Sequence, residues 1–153
     1  MKRYTVLCYI MNNYENVREV EESDPEAEYV MVVDDPSISS KTWKVIYDKE
    51  LASISSVFDR CYNVRFNLFK YASTPICIYL DANVQIHKSL KPLVVAFESG
   101  QYDMCMMPHP LRFDFVSEYQ AWVQGRKYPI DCAKKFFKLL NDSRYPVAYR
   151  GFF

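Results

Sequence analysis

The sequence predicts an α/β domain, with a mixed, mainly parallel sheet flanked by helices. Three observations lead there. Short apolar runs rich in Val, Ile and Tyr recur along the chain and read as buried strands. Between the later runs, apolar residues return at three- and four-residue steps, the period of a helix with one buried face. The runs also end in polar residues, and the carboxyl ends of strands are where open α/β sheets keep their ligand sites.

The elements follow in order. Residues 4–10 (YTVLCYI) are a first buried strand, and 11–16, with three Asn, are a loop. Residues 28–33 (EYVMVV) are a second strand, closed by Asp34-Asp35-Pro36-Ser37. Residues 42–47 are a short third strand, β-branched and aromatic, with Trp43 near its start. Over 56–71, Val57, Cys61, Val64, Leu68 and Tyr71 recur at helical spacing, with Arg60, Asn63 and Asn67 elsewhere on the circumference. That helix delivers the chain to 76–86 (ICIYLDANVQI), an apolar run bounded by Pro75 that reads as a fully buried strand interrupted at Asp81-Ala82-Asn83. Residues 89–98 form another helix ended by Gly100, and 102–107 another buried strand ended by Pro108-His109-Pro110. Two further helices cover 114–124 and 130–140. This alternation is an α/β order whose crossovers bring the polar strand ends to a common edge.

Composition bounds the function. With 153 residues, 50% apolar and 25% charged, the chain has the size of one globular domain with a substantial core. Lys plus Arg equals Asp plus Glu at 19 each, so no global field recruits nucleic acid or an acidic membrane surface. The five cysteines (Cys8, Cys61, Cys77, Cys105, Cys132) lie far apart without CxxC spacing, and three sit inside apolar runs. They point to a reducing, cytoplasmic setting and away from a zinc site. The apolar stretch behind Met1-Lys2-Arg3 is short and broken by Asn12 and Asn13, which supports neither a signal peptide nor a membrane span.

Three strand ends carry chemistry: Asp34 with Asp35, Asp81 with Asn83, and His109 with Arg112. Each by itself reads as a solvated turn. Together they favour a site for an anionic ligand held with a metal ion. Two oxygen-bearing side chains two residues apart, as in Asp81-Ala82-Asn83, can face one hard cation, and such a cation can neutralise a diphosphate. The same tripeptide also suits a hydrogen-bonded turn between elements.

The blocks YTVLCYI, NNYEN, EYVMVVDDPSISSKTWKV, VRFNLFKY, ICIYLDANVQIHKSL and HPLRFDFVSEYQAW, in this order, resemble GT-A type nucleotide-sugar glycosyltransferases. More narrowly, the chain is similar to the hexosyltransferase-like family of plant mucilage and pollen-turgor proteins and their bacterial relatives. The resemblance runs from about residue 4 to residue 151. It implies a Rossmann-like GT-A domain that moves a hexose from a nucleotide-diphosphate sugar, UDP by family preference, to a glycan or other hydroxyl acceptor with Mn²⁺ or Mg²⁺. Asp81 and Asn83 then stand at the family's Asp-x-Asp metal and diphosphate motif, with Asn lowering the charge and so the cation affinity. Asp34 and Asp35 lie by the nucleoside, where carboxylates accept from ribose hydroxyls or a base N–H. Arg65 and Lys70 match basic positions that reach phosphate, and the alternative for both is a solvated helix face. His109, Arg112 and Glu118 match a His-Pro-x-Arg block and a following Glu, implying a metal ligand or hydrogen-bond donor, a phosphate partner and a base for the acceptor hydroxyl. Arg112 and Glu118 would also suit a structural ion pair.

The family continues beyond Gly-aromatic, whereas here Gly151 is followed by Phe152 and Phe153, so the expectation is that the donor half is present and the acceptor half truncated. The two terminal Phe would pack in the core or against a second subunit, as in a homodimer. A non-catalytic nucleotide-sugar or partner-binding domain is the competing class. A phosphotransferase with Asp81 as nucleophile is disfavoured by the Val-Gln-Ile that follows Asn83.

Overall fold

The computed structural model describes residues 1–100 and 102–105, together with isolated positions between 120 and 138. By its internal contacts the chain forms two compact units, 1–101 and 102–153. The first contains every strand described. Four parallel strands, β1 (Tyr4–Ile10), β2 (Ala27–Val33), β3 (Lys44–Tyr47) and β4 (Ile76–Tyr79), lie in the order β3-β2-β1-β4. Helices α1 (Lys49–Ser53), α2 (Val57–Phe66) and α3 (Leu68–Tyr71) connect β3 to β4, and α4 (Lys91–Ser99) follows β4. This is an α/β arrangement around a small parallel sheet.

β1 and β2 are central, so both faces of each need apolar side chains and the runs show no alternation with polar residues. Tyr4, Val6, Cys8 and Ile10 point to a layer with Val20, Trp43, Ala82, Ile86 and Val94 of α4. Leu7 and Tyr9 point to the opposite layer, with Leu51 of α1, Val64 of α2 and Tyr71 of α3. The expected apolar helix face is the one that packs, since Val57, Cys61 and Leu68 join Val64 and Tyr71 there. The layer of α4 is completed by irregular chain: Val17 and Val20 come from the β1–β2 connection and Ile38 from the β2–β3 connection. Buried Asp24 ties that connection down, accepting from the Tyr4 hydroxyl at 2.9 Å, from Glu26 N–H at 2.8 Å and from Ser89.

Several expected boundaries move, each for a local reason. The strand expected at 42–47 begins at Lys44, because Thr42 N–H and hydroxyl bond to Glu19 while the Trp43 indole donates to Arg18 O at 2.8 Å. The helix expected over 56–71 breaks at Asn67, whose φ and ψ of −126° and 39° leave the helical region as its side chain donates back to Asn63 O at 2.8 Å. Helix α1 was not expected from the sequence: Asp48 caps it, accepting from Glu50 N–H and Leu51 N–H at 2.9 and 3.0 Å. The run 76–86 is not one fully buried strand. β4 ends at Tyr79 and is half-buried throughout, since among the described strands it is an edge that pairs with β1 alone. Residues 102–105 form no strand, and Tyr102 and Met104 are exposed. Asp103 interrupts this run, and Asp is disfavoured in strands. Met106 and Met107 lie outside the described residues. Gln120, Ala121, Val123 and Gln124 are helical, as are Asp131, Lys134, Lys135 and Lys138, within the two stretches expected to be helices.

Among the described residues no helix is long and apolar enough to cross a membrane. Cys8, Cys61, Cys77 and Cys105 are free thiols, and burial pushes the Cys8 and Cys77 thiols up to about 12 and about 11.

Candidate functional site

β2 and β3 lie on one side of β1 and β4 on the other, so the connections diverge at the carboxyl ends of β1 and β4. Open α/β sheets form their ligand crevice at such a divergence. β1 runs out into Asn12 and Asn13, both left-handed with φ of 55° and 51°, a conformation that Asn tolerates better than most residues. β2 runs out into Asp34-Asp35. β4 runs out through Leu80, whose N–H still bonds to Leu7 O at 2.9 Å, into a turn closed by Val84 N–H on Asp81 O at 3.0 Å. The turn buries Ala82, half-exposes Asp81 and leaves Asn83 exposed. A small recess beneath it is lined by Cys8, Met31, Trp43, Leu80 and Ala82 among others.

The two acids after β2 do different work. Asp34 accepts Asn12 N–H on both oxygens at 2.9 and 3.0 Å and the Arg60 guanidinium at 2.6 Å, with its side chain only 3% exposed. It therefore ties the β1 turn to β2 and α2. Asp35 is more open, accepting from the Asn13 amide at 2.7 Å and Ser37 N–H at 2.8 Å. The Asn13 bond, followed by those from Ser37, holds its carboxyl below the usual range.

The third strand end holds the most organised charge. Arg65 reaches over from α2, donating from Nε to the Tyr79 hydroxyl and from Nη2 to Asp81 Oδ1, both at 3.1 Å. The Tyr79 hydroxyl in turn donates to Asp81 Oδ1 at 2.6 Å. The Arg65 guanidinium carbon lies over the stacked rings of Tyr9 and Tyr79, 5.6 and 5.5 Å from their centroids. Burial disfavours the Arg65 charge, but the fields of Tyr79, Tyr9 and Asp81 and the bond to Tyr79 outweigh it, so its pKa is raised. Burial, then the bond to Asp81, raises the Tyr79 phenol, and burial pushes Tyr9 up to about 12. Exposed Tyr14, in the loop after β1, feels both Asp81 and Arg65.

Of the residues expected from the sequence, Asp34, Asp35, Arg65, Asp81 and Asn83 all come to the ends of β1, β2 and β4. Lys70 is engaged elsewhere: it bonds to Asp48 at 2.9 Å and Glu50 at 3.4 Å beside α1. His109, Arg112 and Glu118 lie outside the described residues. The sequence reading missed Tyr79, Tyr9, Arg60 and Asn12. A signal for Tyr79 was present, because it stands two residues before Asp81 and so on the same side of the strand end. The chain matches no family model, no curated protein and no solved structure.

Among the described residues no three His, Cys, Asp or Glu side chains gather in a group able to hold a metal ion. The donor set at Asp81 and Asn83 is nonetheless hard oxygen, and both bonds recorded for the Asp81 carboxylate fall on Oδ1. Mg²⁺ would need few protein oxygens there, with the rest from phosphate and water.

Proposed function

We propose that the chain binds the diphosphate of a nucleotide-sugar, a UDP-sugar by preference, at the crevice between β1 and β4. It transfers the hexose to a hydroxyl of a glycan or another acceptor, as a GT-A type glycosyltransferase in a cytoplasmic setting. The observation that carries this reading is the Arg65–Tyr79–Asp81 cluster at the divergence of a parallel sheet, where a fixed cationic donor group faces an open strand end. Arg65 supplies charge-assisted bonds to phosphate oxygens, and Asp35 and the Asn12-Asn13 turn border the nucleoside. Mn²⁺ or Mg²⁺ held by Asp81 and Asn83 would supply charge neutralisation of the leaving diphosphate; the third ligand that the family resemblance implies, His109, lies outside the described residues. The acceptor oxygen bonds to the anomeric carbon as the bond from that carbon to the diphosphate breaks. Its proton passes to a general base; the family resemblance implies Glu118 for that role and Arg112 for a phosphate contact, and both lie outside the described residues.

A binding domain without turnover is favoured by one observation: Asp81 already carries Arg65 and Tyr79 on one oxygen, and its neighbour in the motif is the uncharged Asn83. Thermal unfolding of the full chain with UDP, with and without Mn²⁺, tests the shared part of both readings. Ligand at a hundredfold over its Kd stabilises by about 2.7 kcal/mol, and the shift is expected to be larger with the cation present. No shift at millimolar nucleotide with metal removes the donor site. Mass spectrometry of the donor after incubation with sugar acceptors then separates transfer from binding.

A further inference from the structure

We propose that Tyr79 is the positioning residue of this anion site, bridging Arg65 Nε to Asp81 Oδ1 through its hydroxyl and so fixing the direction in which Arg65 presents its other N–H groups. The inference rests on the reading of the crevice as a diphosphate site. It reaches a residue to which neither the motif nor the charge pattern assigns a role.

A free arginine on a helix explores many rotamers, and ordering it on binding a ligand costs affinity. Here three restraints act on one guanidinium. The Tyr79 hydroxyl accepts from Nε at 3.1 Å, Asp81 accepts from Nη2 at 3.1 Å, and the rings of Tyr9 and Tyr79 lie beneath the guanidinium carbon at 5.6 and 5.5 Å. Only Tyr79 takes part in two of these restraints, by hydroxyl and by ring. Its hydroxyl is used in both directions, accepting from Arg65 and donating to Asp81 at 2.6 Å, so Asp81 orients Tyr79 and Tyr79 orients Arg65. Two of the five guanidinium N–H groups are thereby engaged, and the remaining three bond to no other described residue. Those three are the donors an incoming phosphate meets already ordered. Asp81 by itself would hold Nη2 and leave the side chain free to pivot about that bond.

Two measurements on the full chain test this. The first follows the Arg65 Nε–H resonance by nitrogen-15 NMR, assigned through Arg65→Lys. It is expected to be slow in solvent exchange in the wild type and fast in Tyr79→Phe, while backbone amide protection elsewhere is unchanged. The second is calorimetric titration with inorganic pyrophosphate and with UDP. Tyr79→Phe is expected to bind each about tenfold more weakly, the scale of one hydrogen bond to a charged group. The double variant Tyr79→Phe/Arg65→Lys is expected to bind no more weakly than Arg65→Lys, because Tyr79 acts only through Arg65. Unchanged Nε–H exchange in a folded Tyr79→Phe, or losses that add in the double variant, would overturn the proposal. A wild type that shows the ordered Nε–H and its loss in Tyr79→Phe, yet binds neither pyrophosphate nor UDP, sinks the nucleotide reading and upholds the ordering of Arg65 by Tyr79.

Discussion

Replacing Asp34 by alanine tests the joint between the turn after β1, the end of β2 and α2. The carboxylate is 3% exposed and serves two partners from different elements, the left-handed Asn12 and Arg60 of α2. Without it, Asn12 N–H loses its acceptor. Arg60, with a side chain 17% exposed, keeps only its bond to Ile54 O among the described residues. Removing one member of a buried pair costs about 3–5 kcal/mol, because the survivor stays desolvated without its counter-charge. Arg60 retains a backbone acceptor, which places the expected loss near the lower end, about 3 kcal/mol. Asp34→Asn keeps the shape and an acceptor for Asn12 while losing the charge, and about half that loss is expected. Urea unfolding followed by tryptophan fluorescence reads the difference, with the midpoint falling and the slope unchanged. In a thermal scan the alanine variant is expected to melt roughly 6–12 °C lower, from about 2–4 °C per kcal/mol for a chain of this size. A loss under about 1 kcal/mol at constant slope would put the pair among surface ion pairs and refute the argument that Asp34 fastens the turn.

Asp81→Ala removes a half-exposed carboxylate from a turn whose closing bond is backbone to backbone. On the proposed diphosphate site it is expected to keep most of the stability while abolishing the cation-dependent part of nucleotide binding, and unchanged calorimetric affinity with metal would leave Asp81 as a turn residue. Acid stability follows from Glu19 and Asp48. Thr42 above all, with Lys41 and Ser40, outweighs burial and lowers Glu19 from 4.5 to about 2. For Asp48, burial raises the pKa, but Lys70, Leu51 N–H and Tyr71 outweigh it and lower it from 3.8 to about 2. A folded-state pKa below the unfolded value contributes stability that is complete above the unfolded value and lost as pH falls through the folded one. Unfolding free energy is therefore expected to decline between about pH 5 and pH 2, and to decline less steeply in Glu19→Gln. Equal slopes for wild type and variant would count against the Glu19 cluster.

Legibility followed how local the cause was. β1 and β2 were readable because central parallel strands need apolar residues on both faces, which writes an uninterrupted run into the sequence. β4 has the same kind of run but lies at the edge of the described sheet, and nothing within ICIY distinguishes an edge from a centre. The break at Asn67 was hidden because the apolar period continues through it, with Val64 before it and Leu68 and Tyr71 after it on one face. Helix α1 escaped notice because one buried residue, Leu51, gives no period to detect.

At the site, Asp34, Asp35 and Asp81 were legible as polar residues that end apolar runs, whereas their partners were not. Arg65 lies 14 residues from Tyr79 and 16 from Asp81, and Arg60 lies 26 from Asp34. Sequence pattern carries the face of an element on which a side chain stands, since that depends only on helical or strand periodicity. Which charged groups then meet depends on the register of β1 against β4 and on the packing of α2 over Tyr9, contacts between segments far apart in the chain. The amino-acid sequence alone therefore determined an α/β order with acids at the strand ends. Only tertiary packing decided that Asp34 is enclosed by Arg60 while Asp81 stands open beside an arginine held by two tyrosines, because burial and pairing are set by neighbours that no local pattern names.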